Sequence, residues 1–530
     1  MPLDESRSLW GGQADPDCLT DRIMSNVDRF PDRVAVVDDQ GELTYAELLA
    51  WVADIGAQLR AHGATTGSRV AIACHRSAEA VAALVGVTLA GCTYVPLDME
   101  YPRKRLEHML ADSRARVMLY PETAPDLGSD AAAVRIPARP GAGTPSPPDR
   151  SWVAEHDPDL AIYVIYTSGS TGWPKGVELQ HSCLDNVARW QADVSPAPDL
   201  RTAQFAPLNF DVSFQEIFGT LVGGGTLCVV PERLRRDPVG LLAWLAAQRI
   251  QRLFLPFVAL QMLAEAAAFT PDADDLVLVE VNVAGEQLVC SDVVRQFFAR
   301  RPDSRLVNHY GQSESAMVSY HILTGAPASW PMLPPIGVPL PGCELLVDVL
   351  EPDDGDVGEL LVAGLPVSLG YLGQPELNAR RYVDIGPTAH GHTRAFRTGD
   401  LVRMSESGVR FLNRLDDDIK LRGIRINLAE VEAQLMALPD IAAAVCVVTS
   451  GDDRPRALHA AVTVRNPEQP LVEVEVLRRL RETLPAVATP LSILVFDTFP
   501  RTPSGKLDRD AVGKEVERLL TTDPTPSMVT

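Results

Sequence analysis

No uninterrupted apolar run of about 18 residues occurs in the 530 residues of this chain, so the sequence offers no membrane-spanning helix. Its first residues carry acids where a secretory leader would place basic residues ahead of an apolar stretch, and the expected compartment is the cytoplasm. The eight cysteines include no CxxC pair and no cysteine/histidine pattern at metal-ligand spacing, which excludes a zinc ribbon or a dithiol redox motif. Most of them, such as Cys228 ahead of Val229 and Val230, lie in apolar runs and read as reduced core residues. Basic residues are also short: 48 Lys and Arg against 70 Asp and Glu leave a formal charge of −22, and no cationic cluster exists to neutralise a phosphate backbone. Neither a nucleic acid nor a membrane is therefore an expected partner, and no internal repeat suggests a solenoid.

With 46% hydrophobic and 22% charged residues, the chain has ample length for a large core and more than one domain. Helix-like spacing over residues 46–62 and 238–248 alternates with strand-like runs at 69–73 and 161–166, which predicts α/β layers. The Pro-, Gly- and Ser-rich segment 139–150 reads as a surface loop. A short charged connector, Asn413-Arg414-Leu415-Asp416, precedes a helix-like stretch at 428–438 and a strand-like one at 442–448.

The apolar run 160–165 leads into Tyr166-Thr167-Ser168-Gly169-Ser170-Thr171-Gly172-Trp173-Pro174-Lys175-Gly176. Its glycines let backbone N–H groups approach an anion, and its hydroxyls and lysine add donors and a cation, a composition suited to polyphosphate. It is not a P-loop, in which the lysine follows the last glycine and precedes Ser or Thr. The string resembles the phosphate loop of the adenylate-forming superfamily, which includes acyl-CoA synthetases, luciferases and the adenylation domains of nonribosomal peptide synthetases. Asn308-His309-Tyr310-Gly311-Gln312-Ser313-Glu314-Ser315, Phe396-Arg397-Thr398-Gly399-Asp400 and Pro503-Ser504-Gly505-Lys506 resemble further blocks of that superfamily, in the same order. The run from Leu89 to Asp98 and the pair Leu484-Pro485 are similar to the peptide synthetase branch.

The resemblance implies a large N-terminal multilayer α/β domain over residues 1–413, a hinge at 414–416 with Asp416 as pivot, a small mobile C-terminal α+β lobe at 417–515, and a tail at 516–530. It implies ATP and Mg²⁺ as cofactors, with Thr167, Ser168, Gly169, Ser170, Thr171, Gly172, Lys175, Asn308, Tyr310, Gly311, Ser313, Asp400, Arg414 and Lys506 around the nucleotide. Lys175 and Lys506 become the catalytic cations, with Lys506 entering the site on the mobile lobe for adenylation and leaving it for thioester formation. Glu314 becomes the Mg²⁺ ligand, a role suited to a hard carboxylate oxygen. Asp400 is expected to accept hydrogen bonds from the ribose hydroxyls, and Tyr310 to stack on adenine.

In Phe210-Asp211-Val212-Ser213-Phe214-Gln215-Glu216 the resemblance places Asp211 against a substrate α-ammonium, which a desolvated cation requires and an acid without an amino group does not. The substrate pocket carried over by position is Asp211, Val212, Gln215, Val258, Asn282, Ala284, His309, Met317 and Val318. The set resembles pockets for proline, except that Asn282 stands where the proline type is apolar. An unpaired buried amide costs about 1–3 kcal/mol, so a substituted, polar imino acid or a bound water would account for it. Gln312, Asn413 and Asn427 depart from the superfamily's usual proline, glycine and glutamate.

No Gly-Gly-x-Ser attachment motif for a phosphopantetheine arm is present, so the expected partner is a free-standing carrier protein whose phosphopantetheine thiol receives the acyl group in trans. An MbtH-like activator stays open as a further partner. Two rival readings stand beside amino-acid adenylation: an acid-CoA ligase, which needs no Asp211, and a degenerate scaffold, against which the retained Lys175, Glu314, Asp400 and Lys506 argue.

Overall fold

The structure, a computed structural model, describes all residues except 1–6, 16, 102, 124, 146–148, 168–173, 350–355, 406–407, 416–417, 422–423, 452–453, 482–483, 485–487, 503–505 and 523–530. The chain divides into two units, Met1–Thr398 with Met404–Arg410, and Gly399–Arg403 with Phe411–Thr530. Asn413 and Arg414, where the sequence suggested a boundary, close the strand Gly408–Arg414. Asp416 lies outside the described residues.

In the first unit a nine-stranded sheet has a parallel centre in the order Val34–Asp38, Thr226–Val229, Arg201–Gln204, Arg252–Leu255, Glu280–Val283, Arg305–Gln312. Antiparallel strands edge it, Gly41–Thr44 on one side and Ala316–Ile322 then Val338–Pro339 on the other. A seven-stranded sheet runs Gly370–Tyr371, Lys175–Gln180, Ala161–Thr167, Thr93–Leu97, Arg69–Ala73, Val117–Tyr120, Ala132–Arg135. A third sheet carries the strands Ser8–Trp10, Cys343–Asp348, Val357–Gly364, Arg394–Ser405 and Tyr382–Asp384.

One hydrophobic core joins the first two sheets through the helices Tyr45–Ala61, Ala78–Leu89, His181–Val194 and Asp211–Val222. All of Ala78–Leu89 except Glu79 is buried, as expected of a helix that is apolar all round. Gly86 lets it lie close to Tyr45–Ala61, because a Cβ there would stand 2.9 Å from Ile55. The Tyr45–Ala61 helix starts with a capping box in which Thr44 and Glu47 satisfy each other's backbone N–H.

The helices and strands read from the sequence appear as Tyr45–Ala61, Pro238–Ala247, Arg69–Ala73, Ala161–Thr167, Leu428–Met436 and Ile441–Gly451. The described part of 139–150 holds no regular element. All eight cysteines are buried and free. The fold class is α/β as read, with a larger N-terminal and a smaller C-terminal unit.

The second unit is built on a three-stranded sheet, Ile441–Gly451, Arg454–Val464 and Ile493–Val495, with the helices Leu428–Met436, Glu473–Leu480 and Arg509–Thr522. Leu428, Val431 and Leu435 recur at helical spacing and meet Ile441, Ala460 and Leu480 in its core. Arg509 forks onto Glu432 with two bonds of 2.6 and 2.7 Å, and Glu432 also accepts the Cys446 N–H at 2.8 Å.

The approach to the Asp211–Val222 helix is held by Glu216, which is fully buried and accepts the backbone N–H groups of Phe205 and Ala206 and the Gln204 amide. Burial pushes its carboxyl from 4.5 up to about 7, against the pull of those hydrogen bonds and of Arg76. A group whose proton is held more tightly in the folded chain stabilises it fully below its unfolded pKa and loses that contribution as pH rises through the folded value. Wild-type stability is therefore expected to fall between pH 5 and pH 8 by an amount that Glu216→Gln removes. Thermal melts of both proteins across that range check it: the variant's Tm relative to wild type should improve as pH rises.

Candidate active site

The hydroxyl-rich segment joins two antiparallel strands, Ala161–Thr167 and Lys175–Gln180, with Thr167 opposite Lys175. Ser168, Gly169, Ser170, Thr171 and Gly172 lie outside the described residues. At the flanks, the Thr167 hydroxyl is buried without a hydrogen-bond partner, and the Lys175 ammonium stands 4.3 Å from the centre of the Tyr371 ring. Tyr371 donates its hydroxyl to Glu314 Oε1 at 2.7 Å, and burial together with the Glu314 charge pushes its pKa up. Two motifs nearly 140 residues apart thus meet through one tyrosine that the motif reading did not include.

Glu314 sits in the turn between Arg305–Gln312 and Ala316–Ile322, where Ser315 N–H bonds back to the Gln312 carbonyl and Ala316 takes a φ of 48°. Gly311 is required here, since a Cβ would fall 1.9 Å from the Ala316 oxygen. Tyr310 pairs with Ser319 and Gly311 with Met317, which leaves Val318 as the extra, buried residue of a bulge. Tyr310, Gly311 and Ser313 are partly exposed along this hairpin. Asn308, by contrast, is buried with its amide donated to the Pro335 carbonyl at 2.9 Å. A Mg²⁺ ion is bound by one or two carboxylates with phosphate oxygens completing its shell. Glu314 suits that role, because its Oε1 accepts one bond from Tyr371 and a carboxylate has further lone pairs to offer.

Among the substrate candidates, Gln215, Met317 and Asn282 are tied together between the nine-stranded sheet and two helices. Asp211 opens the Asp211–Val222 helix, and Gln215 follows one turn later on the same face. Gln215 Nε2 reaches Gln191 Oε1 at 2.5 Å and Met317 Sδ at 3.6 Å. Gln191, from the His181–Val194 helix, donates to Glu280 Oε1 at 2.9 Å, and Asn282 Nδ2 donates to the same oxygen at 3.1 Å. Ser195 adds a bond of 3.0 Å. Glu280 is aligned in register with Arg252 on one neighbouring strand and Arg305 on the other. Arg252 and Glu280 are both fully buried, 3.1 Å apart, and Arg305 Nε bonds to Glu280 Oε2 at 2.8 Å. Burial alone would raise the Glu280 pKa, but Arg252, Arg305 and the Asn282 bond outweigh it and hold the carboxyl below its ordinary value.

His309 is buried between Trp190, edge-on at 5.6 Å, and Phe254 at 6.2 Å. Neither ring nitrogen has a partner, and burial lowers its pKa to about 3, so the imidazole is neutral at pH 7. Asn282 Oδ1 is likewise buried and unpartnered. Val258 is the second residue of the helix Phe257–Ala267 and donates its N–H to Glu286 Oε2 at 3.2 Å, and Ala284 follows the Glu280–Val283 strand.

In the second unit, Asp400 is buried and bonds to Arg414 Nη1 at 2.8 Å, so the two residues expected at the nucleotide form an ion pair with each other. Lys506 is exposed, and its carbonyl accepts the Thr502 N–H beside the Arg501–Leu507 bridge.

Motif reading missed Gln191, Arg252, Glu280, Arg305 and Tyr371. A signal for one of them existed: Glu280 interrupts the apolar run 276–283, and a charge in such a run is buried only when paired, whereas Arg252 and Arg305 head their strands after polar residues and give no such sign. Among the described residues one group has clustered metal-ligand chemistry, His156, His181 and Asp185, and there His156 Nε2 already contacts Asp185 Oδ2 at 3.1 Å.

Residues 24–372 match the family described as AMP-binding enzyme, and residues 430–506 the AMP-binding enzyme C-terminal domain. The chain is 32% identical to phenyloxazoline synthase MbtB of Mycolicibacterium paratuberculosis, over 96% of this chain and 43% of that protein. It is 35% identical to phosphinothricin tripeptide synthetase PhsB of Streptomyces viridochromogenes, over 96% of this chain and 43% of that one. For syringomycin synthase SyrB1 of Pseudomonas syringae pv. syringae the identity is 34%, over 96% and 84% respectively. The chain thus spans less than half the length of several relatives it matches. Among solved structures it is similar to a four-domain nonribosomal peptide synthetase bound to AMP and glycine, with a TM-score of 0.81 and 28% identity over 95% of this chain and 37% of that one.

An imidazole buried without partners costs about 1–3 kcal/mol relative to a satisfied one. His309→Leu is accordingly expected to leave stability unchanged or to raise it, by chemical denaturation at pH 7. A loss above about 2 kcal/mol would show that the ring is held for packing.

Proposed function

The chain belongs to the AMP-binding enzyme family of adenylate-forming ligases, and on that premise we propose that it activates an amino acid with ATP and passes the aminoacyl group to a carrier-protein thiol. A carboxylate oxygen of the amino acid attacks the α-phosphorus, the bond to the β-phosphate oxygen breaks, and pyrophosphate leaves. A phosphopantetheine thiol of a separate carrier then attacks the acyl carbon and AMP departs. The observation that carries the amino-acid reading is the shared face of Asp211 and Gln215: a carboxylate suited to an α-ammonium lies one turn from an amide tied to the buried Asn282 layer. Similar proteins with peptide synthetase names support it, and the CoA-ligase rival has no use for Asp211.

Proline or a substituted, proline-like imino acid is the substrate we favour, from Asp211, Val212, Gln215, Ala284 and His309 together, with Asn282 favouring a polar substituent. Lys175 and the hydroxyl-rich segment hold phosphate oxygens, Asp400 and Arg414 the ribose side, and Glu314 the Mg²⁺ ion that neutralises phosphate charge when bound. The sequence has only five lysines, so a lysine in each of two motif blocks is a choice of a compact point charge over the arginine used elsewhere. An MbtH-like activator is a candidate additional partner.

ATP–pyrophosphate exchange over the amino acids and proline analogues, with and without such an activator, tests the reading. A non-amino acid or an aromatic as best substrate would overturn the pocket assignment. Asp211→Ala is expected to lower kcat/KM for the amino acid by about 10²-fold or more, in line with the 3–5 kcal/mol lost when a buried charge loses its partner, while the KM for ATP barely moves. Lys506→Ala should slow adenylation by at least about 10²-fold, the scale for one lost transition-state donor. Single-turnover transfer from supplied aminoacyl adenylate to a carrier protein should suffer far less.

A further inference from the structure

The buried Glu280 carboxylate fixes which way the neighbouring amides point. Arg252 and Arg305 keep it ionised, and an ionised carboxylate only accepts hydrogen bonds. The Asn282 atom facing it at 3.1 Å must therefore be the NH₂ group, which turns Oδ1 away, buried and without a partner. The same rule acts at one remove. Gln191 must present Nε2 to Glu280, so its oxygen faces Gln215. Gln215 must then present Nε2 to Gln191, which leaves Gln215 Oε1 as the atom outside this chain of bonds. Rotating either amide by 180° would set oxygen against oxygen, so the polarity follows from charge and not from a choice of rotamer.

We propose that Glu280 is a positioning residue that sets Asn282 and Gln215 as hydrogen-bond acceptors, so that the substrate's side group carries a donor, an O–H or N–H, rather than an acceptor or a purely apolar group. His309, neutral and with one donor and one acceptor to offer, complements such a group without demanding either polarity. The inference rests on the amino-acid adenylation reading and narrows its substrate class. A hydroxylated imino acid fits it, whereas a keto- or fluoro-substituted one does not.

The test compares isosteric amino acids in ATP–pyrophosphate exchange with the full chain: 4-hydroxyproline against 4-fluoroproline in both ring configurations, and threonine against valine. Sites built to bond a substrate hydroxyl reject the analogue that lacks it strongly. In every pair with measurable exchange the donor-bearing member should have a kcat/KM at least about tenfold higher, and Asn282→Leu should bring that ratio to one or below. Equal or better activity of the fluoro or valine member, or an unchanged ratio in Asn282→Leu, would overturn the acceptor assignment while leaving adenylation intact. The wild-type pairs decide the matter even if that variant does not fold. Absence of exchange with every amino acid, carriers and activator included, would instead remove the adenylation reading itself and this inference with it.

Discussion

Glu280 is a charge with no exposure to water, and two arginines, two amides and a hydroxyl surround it and keep it charged. Isolated, such a carboxylate would take up a proton or unfold its surroundings, because desolvation costs several kcal/mol per ion. Parallel strands in register bring Arg252 and Arg305 to its two sides, and Gln191, Ser195 and Asn282 fill its remaining lone pairs. Hydrophobic residues of matching volume would give comparable stability, so the ion triad is better understood by what it orients than by what it stabilises. Its register aligns three strands, and its bond to Gln191 reaches the His181–Val194 helix, from which Gln191 in turn holds Gln215 of the Asp211–Val222 helix.

Two kinds of chemistry are kept apart by this architecture. The groups we propose for anion handling sit on hairpins: the Thr167/Lys175 strand pair and the Glu314 turn, joined through Tyr371. The proposed side-chain pocket lies deeper, on a strand and a helix whose amides are tied to one another through buried side-chain hydrogen bonds. Loops suit phosphates because exposed backbone N–H groups are free to turn toward them, whereas a rigid wall suits discrimination between small side groups. Polar atoms of Asn282 and His309 are left without a protein partner in that wall, which leaves them available to a ligand or a water.

Much of this was legible in the chain. Apolar periodicity marked the helices Tyr45–Ala61 and Pro238–Ala247 and the strands Arg69–Ala73 and Ala161–Thr167 to within a residue or so, because each has a buried face and a clear terminus. The four motif blocks identified the family, since phosphate and ribose chemistry constrains contiguous residues. Other features were not legible. Tyr371 belongs to no block, and only the pairing of Gly370–Tyr371 with Lys175–Gln180 carries it to Lys175. Asp400 and Arg414 were read as two nucleotide contacts, and their ion pair depends on adjacent strands that the sequence does not align.

What the sequence by itself determined is therefore the α/β class, the family and the identity of the chemical groups, all of which depend on residues close together along the chain. Only the tertiary structure decided the polarity of the candidate pocket. Asn282 reads as a neutral amide with two faces until strand register puts Glu280, Arg252 and Arg305 in one row, and the sign of that buried charge then selects which face turns away from it. Long-range pairing of strands and helices sets that row, and no local propensity encodes it.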